Sequence, residues 1–71
     1  MTNTNALPPH QQRVVIEHKE LVQKATALSH FIGLSDTFDT LDPAEQERLK
    51  VQNDLMWQYA EILAARIAAF K

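Results

Sequence analysis

Residues 42–70 read DPAEQERLKVQNDLMWQYAEILAARIAAF, and this stretch decides the fold. Asp42 followed by Pro43 marks a helix start. The aspartate side chain can accept from the free N–H groups of the first turn, and proline at the first helical position forfeits no bond. Glu45, three residues after Asp42, can close a capping box. Leu49, Met56, Leu63 and Phe70 then recur every seven residues, interleaved with Tyr59, Ala60 and Ile67, the spacing of one apolar stripe on an α-helix. Leu55 and Ile62 add a second apolar row, more than one partner helix can cover. The spacing predicts a helix over 43–70.

Working backwards, a connector over 33–42 (GLSDTFDTLD) separates this helix from PHQQRVVIEHKELVQKATALSHFI at 9–32. In that earlier segment Val14, Leu21 and Leu28 keep a seven-residue spacing, with Ala25 and Ile32 between them, and Val15 and Val22 lie about 100° away around the helix. Pro9 suits the first turn, so a helix is predicted over 9–32, with Gly33 as its left-handed stop. One helical turn can begin at Ser35, and Phe38 and Leu41 are expected to fold back over the end of the hairpin. Residues 1–8 read as a short flexible N-terminal tail. The expectation is an all-α chain: one domain over 1–71, built as an antiparallel two-helix hairpin.

Two helices share a single seam, yet 45% of the residues are apolar. At 71 residues the chain sits near the lower limit for a self-sufficient core, and with no cysteine it has neither a disulfide framework nor a zinc finger to add stability. Assembly into a homo-oligomer is the remaining route. A formal net charge of −2 argues against a general DNA or RNA binder, which carries a basic surface. The charge is unevenly spread. Arg13, Lys19 and Lys24 outnumber Glu17 and Glu20 before the connector, whereas Asp36, Asp39, Asp42, Glu45, Glu47 and Asp54 crowd the connector and the residues after it. No run approaches the roughly 18 apolar residues of a membrane span, and MTNTNALPPH lacks the basic and apolar parts of a secretion signal. A protein of the cytoplasm is expected, without a membrane partner.

Enzyme signatures are missing. A single glycine rules out a glycine-rich phosphate loop, and there is no cysteine nucleophile. His10, His18 and His30 lie eight and twelve residues apart, not at the i, i+3 or i, i+4 spacing of helical metal pairs, so no metal or cofactor is expected. Arg13 and Arg66 attract more attention. In an antiparallel hairpin both fall near the end away from the connector, beside the N-terminus of the first helix with its free N–H groups and positive dipole. Two guanidinium forks there suit a phosphate group, with His10, Gln11 and Gln12 offering edges to a base or ribose. The competing arrangement pairs Arg13 with Glu17 and Arg66 with Glu61 or a neighbouring chain. Lys24 and Thr26 belong either to an ordinary solvated face or to an interface that reaches a ligand held by another chain. Trp57 lies off the heptad row and reads as an interface anchor, with base stacking as the alternative.

The runs PPHQQRVVIEHKEL, ALSHFI, TFDTLDPAEQERLKVQ and LMWQYAEILAARIAAF resemble a family of small phage proteins, the sponges that counter cyclic-oligonucleotide-based antiphage signalling (CBASS), together with the hairpin domain of the related Thoeris-system sponges. The resemblance runs from about Pro8 to Phe70. It implies a hairpin assembled into a hexamer that captures cyclic dinucleotides such as 3′,3′-cyclic GMP-AMP at protomer interfaces. Cyclic trinucleotides would occupy separate pockets. Signals are held without cleavage in the cytoplasm of the infected bacterial host, so the host effector is never switched on. Carried over residue by residue, it points to Pro9, His10 and Arg13 at the start of the first helix, Lys24 and Thr26 in its middle, and Arg66 near the C-terminus. His10 stands where an aromatic residue would be the natural stacking group. The reading from a different class is an oligomeric helical hairpin that docks a partner protein through Trp57, Leu55 and Ile62, with no small ligand.

Overall fold

The computed structural model describes residues 7–70, so most of the expected tail over 1–8 lies outside the described residues. Two long helices, α1 (Pro9–Leu34) and α3 (Pro43–Ala68), pack against each other, and a four-residue helix, α2 (Asp36–Asp39), turns the chain between them. Each long helix has 26 residues, and the hairpin measures 47 × 17 × 16 Å. Its radius of gyration, 15.5 Å, exceeds the roughly 11 Å of a compact chain of this length. No helix among the described residues is long and apolar enough to cross a membrane.

The seam follows the heptads. Val14 and Ala25 of α1 and Ala60 and Leu63 of α3 are buried, and Leu21, Leu28, Ile32, Leu49, Met56 and Ile67 are half-buried beside them. Two of the four buried seam residues are alanines, so the helices meet on small side chains, and Leu63 is the only large one fully removed from solvent among the described residues. A polar network runs through the seam. The Asn53 Nδ2 donates to the Ala25 carbonyl at 3.0 Å, Ser29 Oγ donates to Asn53 Oδ1 at 3.0 Å, and the Trp57 indole N–H donates to Ser29 Oγ at 3.0 Å. Trp57 thus bonds within its own hairpin through its N–H, while 36% of its surface stays exposed. Both polar atoms of the Asn53 carboxamide have a partner, as an amide drawn partly out of water requires.

The connector is tied down by three devices. Asp42 caps α3, its Oδ1 accepting from the Ala44 N–H at 3.0 Å. Phe38 is buried edge-on to Phe31, with ring centroids 5.9 Å apart. The Gln46 side chain donates to the Phe38 and Leu41 carbonyls at 2.9 and 3.1 Å, stitching the turn to α3.

Four expectations are corrected. First, α1 does not stop at Gly33 in a left-handed turn; it continues to Leu34, and no described residue has positive φ. Ser35 ends it instead. Its extended backbone breaks the helix, and its hydroxyl accepts from the Thr37 N–H at 3.2 Å to cap α2. One serine therefore stops one helix and starts the next. Second, the capping box is not made: Asp42 caps the Ala44 N–H and not that of Glu45, and the Glu45 carboxylate accepts from Arg48 Nε at 2.8 Å rather than reaching back. Third, Tyr59 is 44% exposed at the rim of the seam, not inside it. Fourth, α3 ends at Ala68, before Phe70.

Gly33 sits in helical backbone with nothing within 4 Å of a Cβ added there. Gly33→Ala is therefore expected to stabilise the protein by about 0.5–1 kcal/mol, a rise of a few degrees in Tm followed by circular dichroism. A drop in Tm would restore the left-handed stop.

Candidate functional site

The seam divides the outer surface of the hairpin into two long edges. Tyr59 Oη of α3 donates to Glu17 Oε2 of α1, and this cross-seam clasp defines one edge. Residues 13, 17, 20 and 24 follow one another at helical spacing, so Arg13, Glu17, Glu20 and Lys24 share it. On α3, Arg66 stands one heptad beyond Tyr59 and belongs to the same edge, as do Arg48 and Gln52. Measured from the clasp, Arg13 lies about 6 Å and Arg66 about 10.5 Å towards the same end, at 1.5 Å rise per residue. The backbone positions of the two arginines are thus within about one helical turn of each other along the axis. This agrees with the expectation that both arginines lie near the end away from the connector.

Arg13, Lys24 and Arg66 are all exposed. The competing pairs Arg13–Glu17 and Arg66–Glu61 are not formed: among the described residues the only ion pair is Arg48–Glu45. Competition explains why Glu17 turns to the tyrosine. An exposed i, i+4 ion pair contributes about 0.3–0.5 kcal/mol and must freeze a long arginine side chain. Tyrosine offers a charge-assisted O–H···O⁻ bond from a stiff ring with two torsions.

Thr26 lies on the opposite edge. Residues two apart on a helix point about 200° from each other, so Lys24 and Thr26 cannot serve one pocket of one protomer. The Thr26 hydroxyl donates to the Val22 carbonyl at 2.7 Å, and its edge carries Ser29 and Trp57. Pro9 and His10 are exposed at the start of α1. That helix terminus offers less than expected. The Gln11 and Gln12 N–H groups both donate to the Pro8 carbonyl, at 2.9 and 3.0 Å, and Pro9 has no N–H. Of the first-turn N–H groups, only that of His10 is then left free beside the positive dipole end of α1 among the described residues.

Alongside the charged edge, α3 shows an uncovered apolar face. Val51, Leu55 and Ile62 are 51%, 57% and 60% exposed. An open groove of about 510 Å³ runs along it, lined by Arg48, Val51, Gln52, Leu55, Met56 and Tyr59. Leu55 and Ile62 were legible as a surplus apolar row. Val51 and Tyr59 were not singled out as part of it, although they continue that row at four-residue steps on either side of Leu55. No group of three or more His, Cys, Asp or Glu side chains that could hold a metal ion is gathered among the described residues.

The Tyr59 phenol titrates above its ordinary value of 10.0. Its hydrogen bond to Glu17 is the main cause, partial burial and the Glu17 charge add to it, and Arg66 pulls the other way. A raised folded-state value means that the clasp stabilises the hairpin below the unfolded value near 10 and loses that contribution as pH climbs through the folded value. Tyr59 is the only tyrosine. Its absorbance titration is therefore expected to have a midpoint above 10 that falls back in Glu17→Ala; equal midpoints in the two proteins would mean that no clasp forms in solution.

The chain matches the Sequestin family model over residues 8–69. It is similar to a protein of Enterobacteria phage T4 described as an uncharacterized 7.5 kDa protein in the denB-rIIB intergenic region, 45% identical over 62 residues, which cover 87% of this chain and 95% of the phage T4 protein. No solved structure matches. Both long helices and the connector fall inside the matched span, which bears out the resemblance to the phage anti-CBASS sponges: this chain belongs to the Sequestin family.

Proposed function

We propose that this protein captures cyclic oligonucleotide second messengers, cyclic dinucleotides such as 3′,3′-cyclic GMP-AMP and also cyclic trinucleotides, and holds them uncleaved in the cytoplasm of the infected bacterium, so that CBASS effectors are not switched on. Membership of the Sequestin family supports a phage sequestering protein. The observation that carries the ligand class is the pair Arg13 and Arg66, exposed, on one edge, and without a carboxylate partner among the described residues. A cyclic oligonucleotide brings two or three phosphates on a compact ring, and arginine recognises phosphate through paired N–H donors.

Magnitudes require that the ligand be buried. Sequestering a signal present at micromolar levels needs nanomolar affinity, about −12 kcal/mol. Exposed charges on one hairpin are screened by water and salt and fall far short of this. The uncovered α3 face supplies the missing element. Val51, Leu55 and Ile62 would pack on other copies in a homo-oligomer, the hexamer that the resemblance implies, and close the charged edges over the ligand. Pro9, His10, Lys24 and Thr26 complete the proposed contacts. Because Lys24 and Thr26 face opposite ways, they would meet ligand from two different protomers. The same apolar face also favours a second reading, in which the oligomer docks a partner protein and takes no nucleotide.

Thermal melting with a panel of cyclic di- and trinucleotides and their linear counterparts separates the two. At about 100 times the dissociation constant, a true ligand adds roughly 2.7 kcal/mol per site. Cyclic members are expected to raise Tm by several degrees and linear ones not. Arg13→Ala and Arg66→Ala are expected to abolish the shift while the oligomer stays intact. If no cyclic nucleotide moves Tm, the partner-docking reading replaces this one.

A further inference from the structure

Glu17 is the natural competitor of a ligand at the proposed anion site. It stands one turn from Arg13 on the same helix face, at a spacing where arginine and glutamate ordinarily pair, and Arg66 lies close enough to Tyr59 to act on its phenol. Paired with either guanidinium, its carboxylate would occupy the donors a phosphate needs. It does neither, because its Oε2 accepts from Tyr59 Oη across the seam. We propose that Tyr59 is a positioning residue of the site: by holding the Glu17 carboxylate across the seam, it keeps that carboxylate off Arg13 and Arg66 and leaves both for a ligand phosphate. This rests on the ligand reading above and deepens it.

Among the described residues, no other acid is placed to do this work. Glu61, two residues from Tyr59, points away on the far side of α3. Glu20 is a further turn from both arginines, nearer to Lys24. Among the described residues within reach of the Arg13–Arg66 pair, Glu17 is therefore the acid that decides whether the edge presents positive charge or an internal ion pair. The phenol ring itself lines the apolar groove, so its two parts have separate tasks: the ring belongs to the α3 face and the hydroxyl to the electrostatics of the edge.

The hydroxyl can be removed without the ring. Isothermal titration of the intact oligomer with 3′,3′-cyclic GMP-AMP as the probe would compare wild type, Tyr59→Phe, Glu17→Gln and the double variant, with sedimentation confirming that all four assemble alike. Freeing the Glu17 carboxylate to compete for the guanidinium groups and approach the phosphate in Tyr59→Phe is expected to weaken binding about two- to fivefold, since a charge already present on the edge moves closer and none is added. Glu17→Gln is expected to bind at least as tightly as wild type, and the double variant to match Glu17→Gln, a rescue that a merely structural tyrosine would not give. If Tyr59→Phe costs nothing, or costs the same in the Glu17→Gln background as in wild type, the proposal is overturned while the ligand reading stands. If wild type binds none of the probe or other cyclic nucleotides, the ligand reading itself fails and takes the proposal with it.

Discussion

Asn53 is the residue on which the hairpin depends. It occupies a seam position between Leu49 and Met56, where the heptad would admit an aliphatic side chain, and there it holds the Ala25 carbonyl and, through Ser29, the Trp57 indole. An aliphatic residue at that position could contribute as much stability or more, but it would bind equally well one turn up or down. Small neighbours such as Ala25 and Ala60 make a slip sterically easy, since few large side chains interlock across this seam. A slip by one turn would break all three polar bonds and leave a half-buried amide unsatisfied, which is how a lone asparagine at a core position specifies register.

Register in turn decides which side chains share an edge. With Asn53 opposite Ala25, Tyr59 comes opposite Glu17, and Arg13 and Arg66 come to the same end of the same edge. The thinness of the molecule does the rest. Only Val14, Ala25, Phe38, Ala60 and Leu63 are buried among the described residues, so the apolar row of α3 remains outside the fold. The same geometry that makes the hairpin a poor self-contained domain leaves one uncovered apolar face beside one edge that carries both arginines.

Most of the architecture was legible because its signals are local or periodic. Pro9 and Pro43 open their helices, Asp42 caps the second, the heptad frame marks the seam, and Phe38 covers the turn. What escaped depends on choices between competing partners. Gly33 looked like a helix stop because glycine tolerates a left-handed turn, but Ser35, two residues on, ended the helix by serving α2. Glu45 chose Arg48 over the cap, and Glu17 chose Tyr59 over Arg13; in each case the spacing allowed both. The Asn53–Ser29–Trp57 network needs residues 24 and 28 apart in sequence, and only the settled register brings them together. The opposed directions of Lys24 and Thr26 were readable from helix geometry alone, since no helix presents residues two apart on one face. For the candidate site, the residue types on the charged edge were legible and their pairing was not.

The central claim is that copies of this hairpin close over cyclic oligonucleotides and keep them whole. Native mass spectrometry of the protein after incubation with 3′,3′-cyclic GMP-AMP tests it most directly, because one spectrum reports assembly, occupancy and the chemical state of the ligand. The account predicts a homo-oligomer carrying the nucleotide at its unaltered mass, released intact on denaturation. A monomer, an oligomer without nucleotide, or a bound species heavier by one water, the mark of a hydrolysed phosphodiester, would contradict it.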